Sequence, residues 1–136
     1  MTIEKITYAK QLLAIIIRKR NYPIKIGANF ITNNSDPLQV GFINYPSKHI
    51  IKPHMHIKRK KIINSCPEVL LVQKGILDVF FYKENGQKIN IKKKLKSGDI
   101  IFLVRGGHGF NVSKKISLLE IKQGPYMINK DKKIIK

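Results

Sequence analysis

Tryptophan is absent, cysteine occurs once, and acidic residues number 8 against 27 lysines and arginines in a chain of 136 residues. A single cysteine, Cys66, excludes an intrachain disulfide and agrees with a reducing compartment. Long hydrophobic runs are missing too. The longest near the start, Leu12 to Ile17, is about a third of what a bilayer span requires and ends in Arg18-Lys19-Arg20, so no transmembrane helix is expected. A charged leader, a sufficiently long apolar region and a small-residue cleavage site do not occur together, which argues against a secretory signal. The expectation is one cytoplasmic domain, long enough to bury most of its apolar surface.

The scarcity of acids leaves a net charge of +19 at pH 7. Such a balance points first to nucleic acid or an anionic surface. Its make-up points elsewhere: 23 of the cations are lysine and only 4 arginine, beside 24 isoleucines and 10 asparagines, the skew of an AT-rich coding sequence. Arginine is the planar fork preferred for phosphate and base recognition. The lysine runs at 58–61, 92–96, 114–115 and from 130 onward are not interleaved with aromatics, as a single-strand binding surface would be. Nucleic acid is therefore not expected, and a small anionic molecule suits the charge better.

Along the chain, residues 2–20 have helical character, with Ile6, Leu13, Ile16 and Ile17 near one face and Glu4, Lys5, Lys10 and Gln11 largely on the other. Asn21-Tyr22-Pro23 breaks this segment. From Ile24 to Pro125 the pattern is of short strands: Ile24–Thr32, Gln39–Tyr45, Ile50–Ile57, Glu68–Gln73, Ile76–Tyr82, Lys88–Leu95, Asp99–Val104, Phe110–Val112 and Ile116–Lys122. Turn signals such as Asn33-Asn34-Ser35-Asp36-Pro37, Lys74-Gly75, Glu84-Asn85-Gly86 and Ser97-Gly98 separate them. This even spacing implies an all-β sandwich or jelly roll. The expected organisation is an N-terminal helical segment at 1–23 packing on a barrel at 24–125, followed by a basic C-terminal tail at 126–136.

Four residues stand out as candidate metal ligands. In an extended strand His54 and His56 share a face and could hold one ion together. A carboxylate from the next strand, Glu68, and an imidazole from the glycine-flanked turn at His108 would complete a shell for a divalent transition metal. Eleven residues separate His56 from Glu68, so an extended excursion is expected between them.

The stretch from Gly41 to Asn111 resembles the two motifs of the cupin superfamily. His54-Met55-His56, Glu68 and Gly75 match the first, and Gly98-Asp99-Ile100-Ile101-Phe102-Leu103-Val104-Arg105-Gly106-Gly107-His108, with Asn111, matches the second. The resemblance implies a double-stranded β-helix, the closed jelly-roll barrel of that family, with an N-terminal helix. It also implies one Fe, Mn, Ni or Zn ion per chain, on His54, His56, Glu68 and His108. Asp36-Pro37-Leu38-Gln39, Gly106-Gly107-His108-Gly109-Phe110 and Glu120-Ile121-Lys122-Gln123-Gly124-Pro125-Tyr126 resemble a branch associated with surface-polysaccharide and nucleotide-sugar biosynthesis.

These expectations lead to a metalloprotein acting on a small polar or anionic sugar-related molecule, by isomerisation, epimerisation or oxygenation. The alternative is a non-enzymatic cupin that binds or senses such a molecule. Glu120 and Lys122 alternate on one strand face, where Glu120 could act as a general base and Lys122 could hold a carboxylate or phosphate, with Tyr126 as a proton donor. A homodimer is expected, as in many small cupins.

Overall fold

The computed structural model describes residues 2–136. Its elements are β1 (Glu4–Tyr8), β2 (Gln11–Ile17), a 3-10 turn at Lys19–Asn21, β3 (Gly27–Phe30), β4 (Gly41–Asn44), β5 (Glu68–Tyr82), β6 (Lys88–Lys96), β7 (Ile100–Leu103) and β8 (Gly107–Lys122).

The expected N-terminal helix is a β-hairpin instead. β1 and β2 pair antiparallel from Glu4↔Ile16 to Tyr8↔Gln11, and the turn between them places Ala9 and Lys10 at φ 47° and 64°. Two successive left-handed residues give the twist that suits a tight hairpin. β2 is buried along five successive residues, Leu13 to Ile17, because its two faces enter two different cores. Ala14 and Ile16 join Ile6, Leu70, Val72, Phe81 and Ile101, whereas Ile15 and Ile17 join Val69 and Phe102. A strand covered on both sides reads as a continuous apolar run, and the β-branched Ile15-Ile16-Ile17 favours strand over helix.

The main sheet has six strands in the order β1-β2-β7-β5-β6, with β8 pairing along β5; β3 and β4 form a separate two-stranded sheet. Phe42, Leu38, Val40 and Ile31 from the small sheet and its connections cover the second core. Both sheets are open. The expected jelly-roll barrel does not close, since among the described residues β8 pairs with β5 alone. One cause lies in the missing strand at Ile50–Ile57: from Tyr45 to Pro67 the chain forms no strand or helix. Pro46, Pro53 and Pro67 cannot donate to a ladder, and nearly all side chains of this stretch are exposed.

Other expected strands merge. Glu68–Gln73 and Ile76–Tyr82 run together as β5, whose first part pairs with β7 and whose second part pairs with β6. The join is irregular, with register shifts against β8 between Val72 and Leu77 and Gly75 at φ 92°. A Cβ on Gly75 would lie 2.2 Å from the Lys115 carbonyl oxygen, so only glycine lets the two backbones approach here.

One buried ion pair ties the sheet together. Arg18 Nη1 donates to Asp99 Oδ2 at 2.8 Å and Arg18 Nε donates to Glu4 Oε1 at 2.7 Å, while Asp99 is 1 % exposed.

Two stability outcomes are expected. Asp99→Ala leaves Arg18 without its buried partner and should cost about 3–5 kcal/mol in denaturant unfolding; a loss within error of zero would remove the pair from the list of structural determinants. Gly75→Ala should cost about 2 kcal/mol more than Gly27→Ala. Gly27 also has positive φ, at 101°, yet nothing lies within 4 Å of its added Cβ. Equal losses would mean that conformation alone, and not the approach to Lys115, sets the requirement at position 75.

Candidate functional site

Glu68 opens β5 and faces Lys122 at the end of β8, while Glu120 faces Leu70. Residues two apart on a strand share a face, and directly paired residues do too. Glu68, Leu70, Glu120 and Lys122 therefore lie on one face, and Leu70 belongs to the larger core. His108 sits at the other end of the same ribbon, opposite Phe81. A flat ribbon would separate Glu68 from Phe81 by about 43 Å at the usual rise per residue. His108 Nε2 is nonetheless 2.9 Å from Glu68 Oε1, so the β5–β8 ribbon coils until its two ends meet, aided by the bulges around Gly75.

The cluster has four ionisable members. The imidazole of His108 holds the Glu68 carboxyl well below its ordinary value, at about 2. Burial opposes that displacement, and hydrogen bonding with Glu120 and the charge of Lys122 add to it. Glu120 is pushed the other way, chiefly by its hydrogen bond to Glu68 and then by burial and by the Glu68 charge, with Lys122 and Lys132 opposing. Two carboxyls at hydrogen-bond distance cannot both ionise freely; one keeps the charge and the other tends to keep the proton. Glu68 and His108 are half-buried, whereas Glu120, Lys122 and Tyr126 are exposed. Lys122 Nζ lies 5.9 Å from the centre of the Tyr126 ring and 3.7 Å from Asp131 Oδ2.

His54 and His56 do not join this group. Both are exposed in the irregular Tyr45–Pro67 segment, with ring centres 5.5 Å apart and edge to face. His54 Nδ1 is engaged with the Lys52 carbonyl at 2.9 Å. The shared-face argument required a strand that does not form. Among the described residues no group of three or more His, Cys, Asp or Glu side chains is placed to hold a metal ion. The expected Fe, Mn, Ni or Zn site on His54, His56, Glu68 and His108 is thereby corrected to the single pair Glu68–His108. The cupin assignment falls with the open sheets and the unassembled ligand set, as does the metal-dependent sugar chemistry inferred from it, together with its metal-positioned binding alternative.

Asp131 escaped the sequence reading because the tail from Tyr126 looked uniformly basic. It accepts a hydrogen bond from the Met127 backbone N–H at 2.9 Å and brings the tail against Lys122. Arg105 also gains a place, on the rim of two surface clefts. One, of about 390 Å³, is lined by Tyr8, Gln11, Leu13 and Lys83; the other, of about 280 Å³, is lined by Asp36, Ser65, Pro67 and Phe102. Neither cleft contains Glu68, His108, Glu120 or Lys122. The cluster is an open polar face beside the core and not an enclosed pocket. No helix among the described residues is long and apolar enough to cross a membrane.

Comparison with protein-family models, curated proteins and solved structures finds no match to this chain.

The opposed displacements give a pH signature. Glu68 is lowered from 4.5 to about 2, so the stability it contributes is fully present above about pH 4.5 and lost as pH falls towards 2. Glu120 is raised above 4.5, so its contribution is present at lower pH and lost as pH rises through its folded value. At neutral pH, Glu68→Gln should therefore destabilise, by about 1–2 kcal/mol once solvent screening is allowed for. Glu120→Gln should be neutral or stabilising there. Thermal melts from pH 2.5 to 8 test this, and similar losses for both variants would show that the two carboxyls do not share a proton.

Proposed function

We propose that the protein binds a small polar molecule, neutral or anionic, at the Glu68–His108–Glu120–Lys122 cluster, with Tyr126 at its margin. The observation that carries this reading is the convergence of four ionisable side chains from both ends of one β-ribbon onto a single face beside the apolar core. A surface ion pair that merely decorates a sheet needs two groups and contributes little. Here the coiling of β5 against β8 is required to bring the groups together, and Glu120 and Lys122 remain open to solvent.

The chemistry of the face sets the ligand class. Lys122 donates to an acceptor oxygen, and so does Glu120 in its protonated form; Glu68, held ionised by His108, accepts from a hydroxyl or amine. A molecule offering both an acceptor and a donor a few atoms apart would complement all of these. Because Glu68 is displaced downward and Glu120 upward by their mutual interaction, a charged or hydrogen-bonding ligand between them would link occupancy to proton uptake or release. One carboxyl displaced downward beside one displaced upward is the kind of pairing that separates acid and base roles.

Ligand-observed NMR against small hydroxy acids, amides, amino acids and nucleotides tests the reading. The expected result is at least one binder whose affinity falls about tenfold or more in both Glu120→Ala and Lys122→Ala, equivalent to about 1.4 kcal/mol. The same binder should show a pH-dependent affinity that Glu68→Gln flattens. Binders lost only in Arg105→Ala would move the site to the clefts bordering that residue and defeat the proposal. So would the absence of any binder affected by the cluster substitutions.

A further inference from the structure

The polar face between β5 and β8 leaves a second feature unexplained. Between Asp36 and Glu68 the sequence contains no acidic residue. Within this interval the irregular segment carries Lys48, Lys52, Lys58, Arg59, Lys60 and Lys61, all exposed, and none of them forms an ion pair among the described residues.

The same segment exposes large aliphatic side chains between the cations. Ile50 is 80 % exposed, Met55 92 %, Ile57 90 % and Ile62 81 %. Singly exposed apolar residues are ordinary, but several along one short cationic segment mark an interaction surface. Its base is anchored: the Tyr45 and His49 rings stack with centroids 3.9 Å apart, and His49 N–H donates to the Pro46 carbonyl at 3.3 Å. From there the chain presents the apolar and cationic groups together, away from both cores.

We propose that this segment, from Lys48 to Ile62, docks the protein on an anionic lipid surface. Charge complementarity selects an anionic partner, and the aliphatic side chains decide which kind. From Pro46 to Pro67 there is no Phe, Tyr or Trp and only one arginine, and of its three histidine rings His49 is already stacked on Tyr45, so the segment is poor in the large stacking platforms and planar forks that nucleic acids engage. Isoleucine and methionine gain nothing from a phosphate backbone. They do gain from leaving water for the boundary between headgroups and acyl chains, while lysines beside them neutralise lipid phosphates and carboxylates. Clusters of this size, with apolar residues to insert, supply the two signals that reversible anchoring needs. The expected cytoplasmic placement would put the segment opposite the leaflet that carries anionic lipid. This docking is independent of the ligand proposed for the β5–β8 face.

Sedimentation of the full-length protein with sucrose-loaded vesicles tests the proposal, at about 0.15 M salt, where long-range attraction is screened. Vesicles of one part phosphatidylserine to two parts phosphatidylcholine should bind the protein, and phosphatidylcholine alone should bind it at least about tenfold more weakly. Lys58→Ser/Arg59→Ser/Lys60→Ser/Lys61→Ser should lower partitioning about thirtyfold or more. Met55→Ser/Ile57→Ser/Ile62→Ser, which keeps every charge, should lower it about fivefold or more. Lys130→Ser/Lys132→Ser/Lys133→Ser/Lys136→Ser removes the same charge elsewhere and should change it less than about threefold. All the substituted positions are exposed and lie outside the strands, so the fold should survive, as circular dichroism would verify. An unchanged aliphatic triple variant would overturn the proposal in favour of nonspecific adsorption, and equal loss in the tail variant would do the same. Tighter binding to single-stranded or duplex DNA than to the vesicles, abolished by the same loop substitutions, would assign the segment to nucleic acid instead.

Discussion

The main sheet depends on the contact between Arg18 and the buried carboxylate of Asp99. Asp99 receives Arg18 Nη1 at 2.8 Å, the Lys19 backbone N–H at 3.2 Å and the Lys96 backbone N–H at 3.1 Å. Arg18 also donates to the Lys94 carbonyl and reaches Glu4 on β1. The turn that carries Asp99 is bonded to β5 as well, through Val72 N–H to the Asp99 carbonyl and Gly98 N–H to the Val72 carbonyl, while the Tyr22 hydroxyl donates to the Gly98 carbonyl. The carboxylate thus joins the exit of β2 to the β6–β7 turn and, through Arg18, to β1, while the backbone of the same turn is bonded to Val72 of β5. A buried charge is tolerated only when its hydrogen-bonding capacity is met, and here the partners come from strands far apart in sequence. Burial and the Asp99 charge together raise the Tyr22 hydroxyl above its ordinary value, which keeps that donor protonated.

From this junction β2 sets the layering. Its alternate residues enter two cores, so the hairpin at the start of the chain is the central partition between the main sheet's large core and the region covered by β3 and β4. Helical periodicity at Leu13, Ile16 and Ile17 arose from a strand buried on both faces, where spacing carries little information, and Ile6 fell into the pattern from the neighbouring strand β1. The hairpin turn gave no warning either. Ala9 and Lys10 adopt positive φ without the glycine or asparagine that usually marks such a turn. The strands from Glu68 onward were legible because Gly75, Gly86 and Gly98 punctuate them, all at positive φ. What the punctuation could not show was that Gly75 sits inside one continuous strand, at a point of close backbone approach.

Half of the candidate site was legible and half was not, for reasons that differ residue by residue. Glu68 and His108 were singled out as partners and do meet, although as a carboxyl–imidazole contact at 2.9 Å and not as metal ligands. Glu120 and Lys122 were placed on one face by simple alternation, and the register against Glu68 and Leu70 puts them on the face of the cluster. His54 and His56 failed because alternation has meaning only inside a ladder. Their segment contains three prolines and finds no strand to pair with, so local spacing was mistaken for tertiary placement. Asp131 was hidden by the lysines around it, and its approach to Lys122 depends on how the tail folds back. Ile135 next to Gly107, where an added Cβ would lie 2.4 Å from the isoleucine side chain, records the same return of the tail.

The shortage of acids then explains how charge is distributed. Most acids in or beside the sheet have cationic or imidazole company: Glu4 and Asp99 with Arg18, Asp78 with Lys94 at 3.1 Å, Glu68 with His108, and Asp131 of the tail with Lys122. Asp78 Oδ1 is buried without a directed hydrogen bond, so its contact with Lys94 is one of charge rather than geometry. With acids concentrated where strands must be joined, the stretch between Asp36 and Glu68 receives none. A lysine-rich composition raises positive charge everywhere, but folding compensates it locally only in the sheet. The irregular segment keeps its full field, and because its cations are exposed, that field is screened beyond about 8 Å at physiological salt. Charge alone would therefore act there only at close range, which is where the isoleucines and methionine between the lysines can also act.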